Sequence, residues 1–283
     1  MCNIIQSFYS KKCDDFNMFL QSCYFALSSI YADKCDMPIK LYTDYDFKNV
    51  LEKAPYKNIE VLFEDCKQYD NIDPLVWAWP KFLALDYVPR DHVHIDGDVF
   101  LKDKSCANLL KYDGNDAIVQ HIELKKHGEH YANSWEQTFK SIEHFNFPDY
   151  IDAKIPDLMP NNGVVGINSE NLWNKYRDSY WYMVNQAVPG SVKADGWTAP
   201  DIIFEQYFLT QICAKDNYSI KTVLHGNTFE EINDDARKKR YQHVCINKAS
   251  HLQLCINTIK KYDKVCYEAL KSTWSSKFSE YFE

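Results

Sequence analysis

The residues 92–103 read HVHIDGDVFLKD. His92, His94, Asp96 and Asp98 fall on alternate positions, and Gly97 separates the two carboxylates. A buried strand favours Val, Ile and Phe on its inward face, and here two acids close the run instead. Like charges this near repel unless something neutralises them. A divalent metal is the usual neutraliser of an Asp-x-Asp pair, because hard cations take oxygen ligands. His92, His94 and Asp96 also match the start of an HxHxD binuclear zinc site. That pattern needs further histidines in loops. The residue after Asp96 is glycine, and the HxxH pair His127 and His130 has no fitting partner pattern.

The elements around this run place it. NIIQSFYS reads as a strand, and DDFNMFLQSCYFALSSIYADK opens on Asp14 or Asp15 as a cap and continues at helical spacing. MPIKLYTD and NIEVLFED are further strands. DPLVWAWPKFLALDYV is helical around KFLALDYV, with Pro80 near its start, and DHVHID is the fourth strand. Alternating strands and helices predict a parallel sheet with helices on both faces. Ligands in such sheets bind beyond the carboxyl ends of the strands, where Asp96 and Asp98 fall. AIVQHIEL is the next strand, followed by a polar stretch from about Lys125 to Asp157 that is helical in part. LMPNNGVVGINSENLWNKY gives a strand and a helix capped by Asn168 or Ser169. DGWTAPDIIFEQYFLTQIC gives a loop and a helix, YSIKTVL a late strand, and the stretch from Leu252 to Phe282 an amphipathic helical extension.

The order of these blocks resembles the GT-A type nucleotide-sugar glycosyltransferases, closest to the galactosyltransferase and glycogenin-like group. Three segments carry the resemblance: PKFLALDYVPRDHVHIDGDVFLKD, MPNNGVVGINSENLW and PDIIFEQYFL, within about Pro38 to Leu209. The resemblance implies a GT-A, Rossmann-like α/β fold with a mostly parallel sheet. It implies transfer of a sugar from a nucleotide-diphosphate sugar, with UDP as the default nucleotide, to a carbohydrate or glycoconjugate acceptor, with retention. The implied cofactor is Mn2+ or Mg2+, bridging the pyrophosphate as the glycosidic bond breaks. Asp98 is the better direct ligand. Asp96 ligates directly, acts through water, or holds the ribose. Gly97 lets the backbone approach the ligand closely.

The family draws a third metal ligand from a late HxxGxxKPW-like segment. Here that segment is YQHVCINKASH, which makes His243 the metal candidate and Lys248 the diphosphate candidate. The segment lacks the Gly and the Pro-Trp, its Lys is one residue closer, and His251 is an alternative ligand. By the same resemblance Lys81 reaches the donor or the Asp pair, and Thr43 and Asp44 lie near the nucleotide base. Asn161, Asn162 and Gly163 face donor sugar and acceptor, since adjacent amides can hydrogen-bond sugar hydroxyls. Glu205, Gln206 and Asp201 fall under the reacting anomeric carbon, with Glu205 as nucleophile, base or stabiliser of an oxocarbenium-like state. A turn or helix cap is the alternative for Thr43, Asp44 and Asp201. Trp77, Trp79, Trp135 and Trp197 are candidates to stack on sugar rings, although most tryptophans are core.

Composition bounds the rest. The chain has 283 residues, 46% of them hydrophobic, with a formal net charge of −8, which argues against a nucleic-acid binder. Ten cysteines show no CxxC pair, and in a chain this rich in core they read as reduced, buried thiols. No run is apolar and long enough to span a bilayer, and the first residues lack a signal pattern, so a soluble cytoplasmic protein is expected. One domain over 1–283 is expected: a nucleotide-sugar half to about 125, an acceptor and catalytic half over about 126–250, and a C-terminal helix over about 251–283. The rival readings are an HxHxD metallohydrolase and a non-catalytic carbohydrate-binding protein with a transferase-like fold.

Overall fold

The computed structural model describes residues 3–11, 13–52, 58–63, 66–125, 129–193, 198–244 and 248–283. The chain runs β1 (Asn3–Phe8), α1 (Asp15–Lys34), β2 (Ile39–Thr43), α2 (Tyr45–Glu52), β3 (Ile59–Val61), α3 (Trp79–Tyr87), β4 (His92–Ile95), β5 (Val99–Leu101) and α4 (Cys106–Leu109). Next come β6 (Ala117–Leu124), α5 (Glu129–Ile142), β7 (Leu158–Ile167), α6 (Glu170–Val184), a π-helical turn (Ile202–Tyr207) and α7 (Phe208–Asp216). They are followed by β8 (Ile220–Thr222), α8 (Phe229–Lys238), β9 (Tyr241–His243), α9 (Lys248–Tyr262) and α10 (Lys264–Trp274). The fold is α/β, as expected: a mostly parallel seven-stranded sheet, ordered β3-β2-β1-β4-β7-β6-β8, with helices around it. β1 with β2, β2 with β3, and β6 with β8 pair in parallel; β6 with β7 is antiparallel.

Two compact units divide the chain. The first holds Met1–Glu64, His94–Leu109 and Ala236–Glu283; the second holds Asp65–Val93 and Leu110–Asp235. In the first, Asp14 caps α1 by accepting a hydrogen bond from the Asn17 amide. α1 then packs Phe19, Cys23, Tyr24 and Leu27 against Phe100 of β5 and against Leu252, Ile256, Tyr267 and Trp274 of α9 and α10. The Phe19 ring is fully buried among Trp274, Phe278, Tyr281 and Phe282. Deleting it would cost about 3–5 kcal/mol. The C-terminal extension is two helices rather than one. Asp263 ends the first and caps the second by accepting from the Cys266 amide. β5 and β9 form a separate antiparallel ribbon between segments far apart in sequence, a pairing no local pattern announces.

In the second unit, β6 and β7 form the long antiparallel pair, with a bulge between Val119 and His121. Ser169 caps α6, whose Tyr180 ring stacks on Phe82 of α3 at 3.5 Å between centroids. The segment expected to be a plain helix after Pro200 begins as the π turn, in which the Phe208 amide donates to the Ile203 carbonyl five residues back. Among the described residues no helix is long and apolar enough to cross a membrane. No disulfide joins the eight described cysteines, and all but Cys13 are buried.

Candidate functional site

β4 ends at Ile95, and the chain turns at once: the Val99 amide donates to the Asp96 carbonyl at 3.0 Å, with Gly97 and Asp98 at the corner. Val99 then opens β5, which pairs with β9 so that Val99 faces His243. The Val244 amide donates to the Asp98 carbonyl at 3.0 Å. This short ribbon brings a late histidine to the acidic turn. His243 Nε2 lies 3.3 Å from Asp98 Oδ1, and Lys248 Nζ, from the first turn of α9, lies 2.5 Å from Asp98 Oδ2. One ligand atom each from Asp96, Asp98 and His243 falls within 4.8 Å of the others. His251 is half-buried in α9 and outside this group.

The electrostatics suit a cation. Burial by itself pushes the Asp98 carboxyl up, but His243 and then Lys248 outweigh it and hold the group well below the usual carboxylate range. Asp98 is therefore ionised at any working pH, as a ligand must be. Two carboxylates with one imidazole form a hard, mixed oxygen and nitrogen donor set, which fits Mn2+ and Mg2+ better than a thiolate-seeking ion. The other two histidines of the run are engaged elsewhere. His92 Nδ1 meets the Pro89 carbonyl and Asp91, and His94 Nε2 meets the Ser7 hydroxyl. Neither belongs to the three-residue group.

Three other expected residues of this unit have clear packing work. A Cβ on Gly97 would lie 2.7 Å from the tip of the buried Phe25 ring and 3.2 Å from Gln21 Oε1, so the turn passes against α1 too closely for a side chain. Thr43 is buried, and its hydroxyl donates to the Phe8 carbonyl at 2.7 Å. Asp44 accepts from the Ser10 amide, the Ser10 hydroxyl and the Phe47 amide, which ties β1 to the start of α2.

In the second unit Lys81 and Glu205 form a buried ion pair, with Nζ 2.7 Å from Oε1. The same ammonium donates to the Asn162 carbonyl at 3.0 Å. The Glu205 carbonyl, in the π turn, accepts from the Tyr176 hydroxyl at 2.8 Å and the Asn162 side-chain amide at 3.5 Å. Lys81, Asn162 and Glu205 are thus brought together. Asp201 is fully buried: it accepts from the Trp77 amide at 2.5 Å, the Ala78 amide at 2.9 Å and the Tyr180 hydroxyl at 3.0 Å. Burial pushes its carboxyl up to about 6, against the lowering effect of those hydrogen bonds. Gln206 is half-buried, its carbonyl accepting from Thr210. Asn161 donates to Glu123 Oε1 at 2.9 Å and accepts from the Gly163 amide at 3.0 Å. Of the tryptophans, Trp77 is 55% exposed, whereas Trp79 at 2% and Trp135 at 1% are core. Trp197 and His127 lie outside the described residues, as does the side chain of His130.

Several buried polar side chains beside these groups were not singled out from the sequence. In the first unit this is Gln6, while His94 was weighed only as a zinc ligand; in the second they are Gln120, His121 and Glu123, where Gln120 Nε2 lies 3.2 Å from His121 Nδ1. The signal was available, since an amide or acid inside NIIQSF or AIVQHIEL breaks an otherwise apolar strand.

Comparison with known proteins adds the following. No curated protein matches the chain. Among solved structures, the galactosyltransferase LgtC in complex with donor and acceptor sugar analogs is similar at 11% identity and a TM-score of 0.48, covering 89% of this chain and 95% of that one. Mouse xyloside xylosyltransferase 1, in its apo form, is similar at 14% identity and 0.42, covering 87% and 98%. The inositol-1-phosphate CTP transferase from T. maritima is similar at 12% and 0.42, covering 89% and 96%. Residues 2–283 match a family of unknown function, DUF6734, and the chain belongs to that family.

Proposed function

We propose that this chain is a metal-dependent glycosyltransferase that takes a sugar from a nucleotide-diphosphate sugar, with UDP as the nucleotide, and passes it to a carbohydrate or glycoconjugate acceptor with retention. The observation that carries the reading is the group of Asp96, Asp98 and His243, joined by Lys248 at the carboxyl end of β4. Asp96, Asp98 and His243 would hold Mn2+ or Mg2+, which when bound supplies charge neutralisation for a diphosphate leaving group. Lys248, with a side chain 41% exposed, offers its ammonium to the diphosphate oxygens. Gly97 keeps the turn tight against α1, and Thr43 and Asp44 shape the end of β2 for the nucleotide base.

For the second unit we propose roles on the sugar. Glu205 stabilises positive charge at the anomeric carbon, Lys81 sets its position and charge, and Asn162 fixes the turn that carries it. Gln206, Asn161 and Gly163 bind sugar hydroxyls. Asp201 acts at one remove, by holding the Trp77 and Ala78 amides at the start of α3. Trp77 presents an indole face to an acceptor ring. The unpaired cysteines support a reducing, cytoplasmic setting. A screen of UDP-, GDP-, ADP- and CMP-sugars, assayed for nucleotide release with Mn2+ and with chelator, tests the reading. Release from one nucleotide-diphosphate donor that needs the metal supports it. Zinc-dependent hydrolysis of other esters with no donor turnover supports the metallohydrolase, and carbohydrate binding without turnover supports a non-catalytic protein.

A further inference from the structure

Asp96 is the most exposed member of the acidic group, with a side chain 34% accessible, yet β1 reaches it twice, directly through Gln6 and by way of His94 through Ser7. Gln6 and Ser7 are successive strand residues, so their side chains leave opposite faces of β1. Gln6, with no exposed surface, donates its Nε2 to the Asp96 carbonyl at 3.2 Å and to Ser28 Oγ at 3.4 Å. Ser28 Oγ in turn donates to the Val99 carbonyl at 3.3 Å. Both ends of the Asp96–Val99 turn are thereby tied through one buried amide and one buried hydroxyl. On the other side, Ser7 Oγ lies 2.9 Å from His94 Nε2, and His94 Nδ1 lies 3.7 Å from Asp96 Oδ1.

We propose that His94, held by Ser7, is a positioning residue that orients the Asp96 carboxylate for the metal, with Gln6 fixing the backbone of the same residue. The inference rests on the metal reading above. If Nε2 is protonated and donates to Ser7, a lone pair on Nδ1 faces the carboxylate and repels it. With Ser7 as donor the proton sits on Nδ1 and faces the carboxylate favourably. The carboxylate, which only accepts, favours the Nδ1–H tautomer, and Ser7 completes it by donating to Nε2. Packing alone gives no reason for this residue, since a buried position of a central strand is filled as well by Leu or Val and at lower desolvation cost. Carboxylates that bind metals are commonly held by partners behind them, and losing such a partner weakens the metal about 10- to 100-fold.

The test is Mn2+ binding, read by the loss of the free-ion electron paramagnetic resonance signal, beside the melting temperature of each variant. Wild type should bind Mn2+. If it does not, the metal reading falls and this inference with it. Given binding by wild type, His94→Leu should weaken it about 10-fold or more, and His94→Gln, which keeps an N–H donor, should recover most of that loss. Ser7→Ala should weaken binding in the same direction by less. The double variant Ser7→Ala with His94→Leu should be no weaker than His94→Leu alone, because both act through one imidazole. If His94→Leu does not fold, His94→Gln and Ser7→Ala decide. Wild-type affinity in Ser7→Ala, or His94→Gln as weak as His94→Leu, or additive losses in the double variant, would overturn the role of His94 while leaving the metal site standing.

Discussion

Asp98 is a buried carboxylate, and such a group survives only beside positive charge or hydrogen-bonding partners, here the Lys248 ammonium and the His243 imidazole. The two differ in role. His243 belongs to the three-residue group, while His251 lies outside it. His243→Ala should therefore weaken Mn2+ binding about 10-fold or more, and His251→Ala should leave it unchanged. Equal losses from both, in a direct titration, would contradict the assignment. Lys81 and Glu205 pose the opposite problem, a buried pair in which each charge needs the other. Breaking such a pair from one side costs about 3–5 kcal/mol, whereas replacing both partners by apolar groups is far milder. Lys81→Met and Glu205→Leu should each lower stability by several kcal/mol in urea unfolding, and the double variant by much less than their sum. Additive losses would mean that the two side chains are stabilised separately. Glu205→Gln should in addition lower kcat more than it changes KM, if Glu205 meets charge that develops only in the transition state.

At the scale of elements, two pieces of local geometry carry consequences. The acidic turn runs against Phe25, so Gly97→Ala must move a packed ring. It should cost about 1–3 kcal/mol in thermal or chemical unfolding, and full wild-type stability would show that α1 gives way freely. Asp201 holds the start of α3 from inside the second unit, and burial pushes its carboxyl from the ordinary 3.8 up to about 6. A raised acid favours the protonated form in the folded state. Its contribution is full below about pH 4 and is lost as pH rises through about 6, a span worth about 3 kcal/mol. The stability of wild type minus that of Asp201→Asn should fall by that order between pH 4 and 6, and a flat difference would place the titration elsewhere. Much of this scale was legible: the strands and helices around HVHIDGD follow from spacing, and capping chemistry narrowed the helix starts to Asp14 or Asp15 and Asn168 or Ser169, of which Asp14 and Ser169 are the caps. The β5–β9 ribbon was not, because it pairs segments far apart in sequence and no local pattern announces such a pairing. The π turn was not, because IIFEQYF reads equally well at 3.6 residues per turn. Of the candidate site, Asp96, Asp98, His243 and Lys248 were singled out by the sequence and lie together in the structure. Gln6 was not, and His94 was noticed only as a zinc candidate, because a polar residue inside a strand announces its role only once its partners across the fold are known.

For the molecule as a whole, a net charge of −8 opposes an anionic donor, so any diphosphate must be drawn by local positive charge rather than by the overall field. Within the first unit Lys248 and a divalent cation held by Asp96, Asp98 and His243 would supply that charge. A cation that binds only the folded unit stabilises it, so Mn2+ should raise the melting temperature of wild type with the logarithm of the ratio of its concentration to Kd. The central claim is that the acidic turn binds a metal in order to cleave a nucleotide-diphosphate sugar. The most direct measurement is the rate of nucleoside diphosphate release from the best donor, with saturating Mn2+, by wild type and by Asp98→Asn of matched melting profile. The account expects metal-dependent release by wild type and its loss in the variant. Release that ignores Mn2+, or that Asp98→Asn sustains at the wild-type rate, would contradict it.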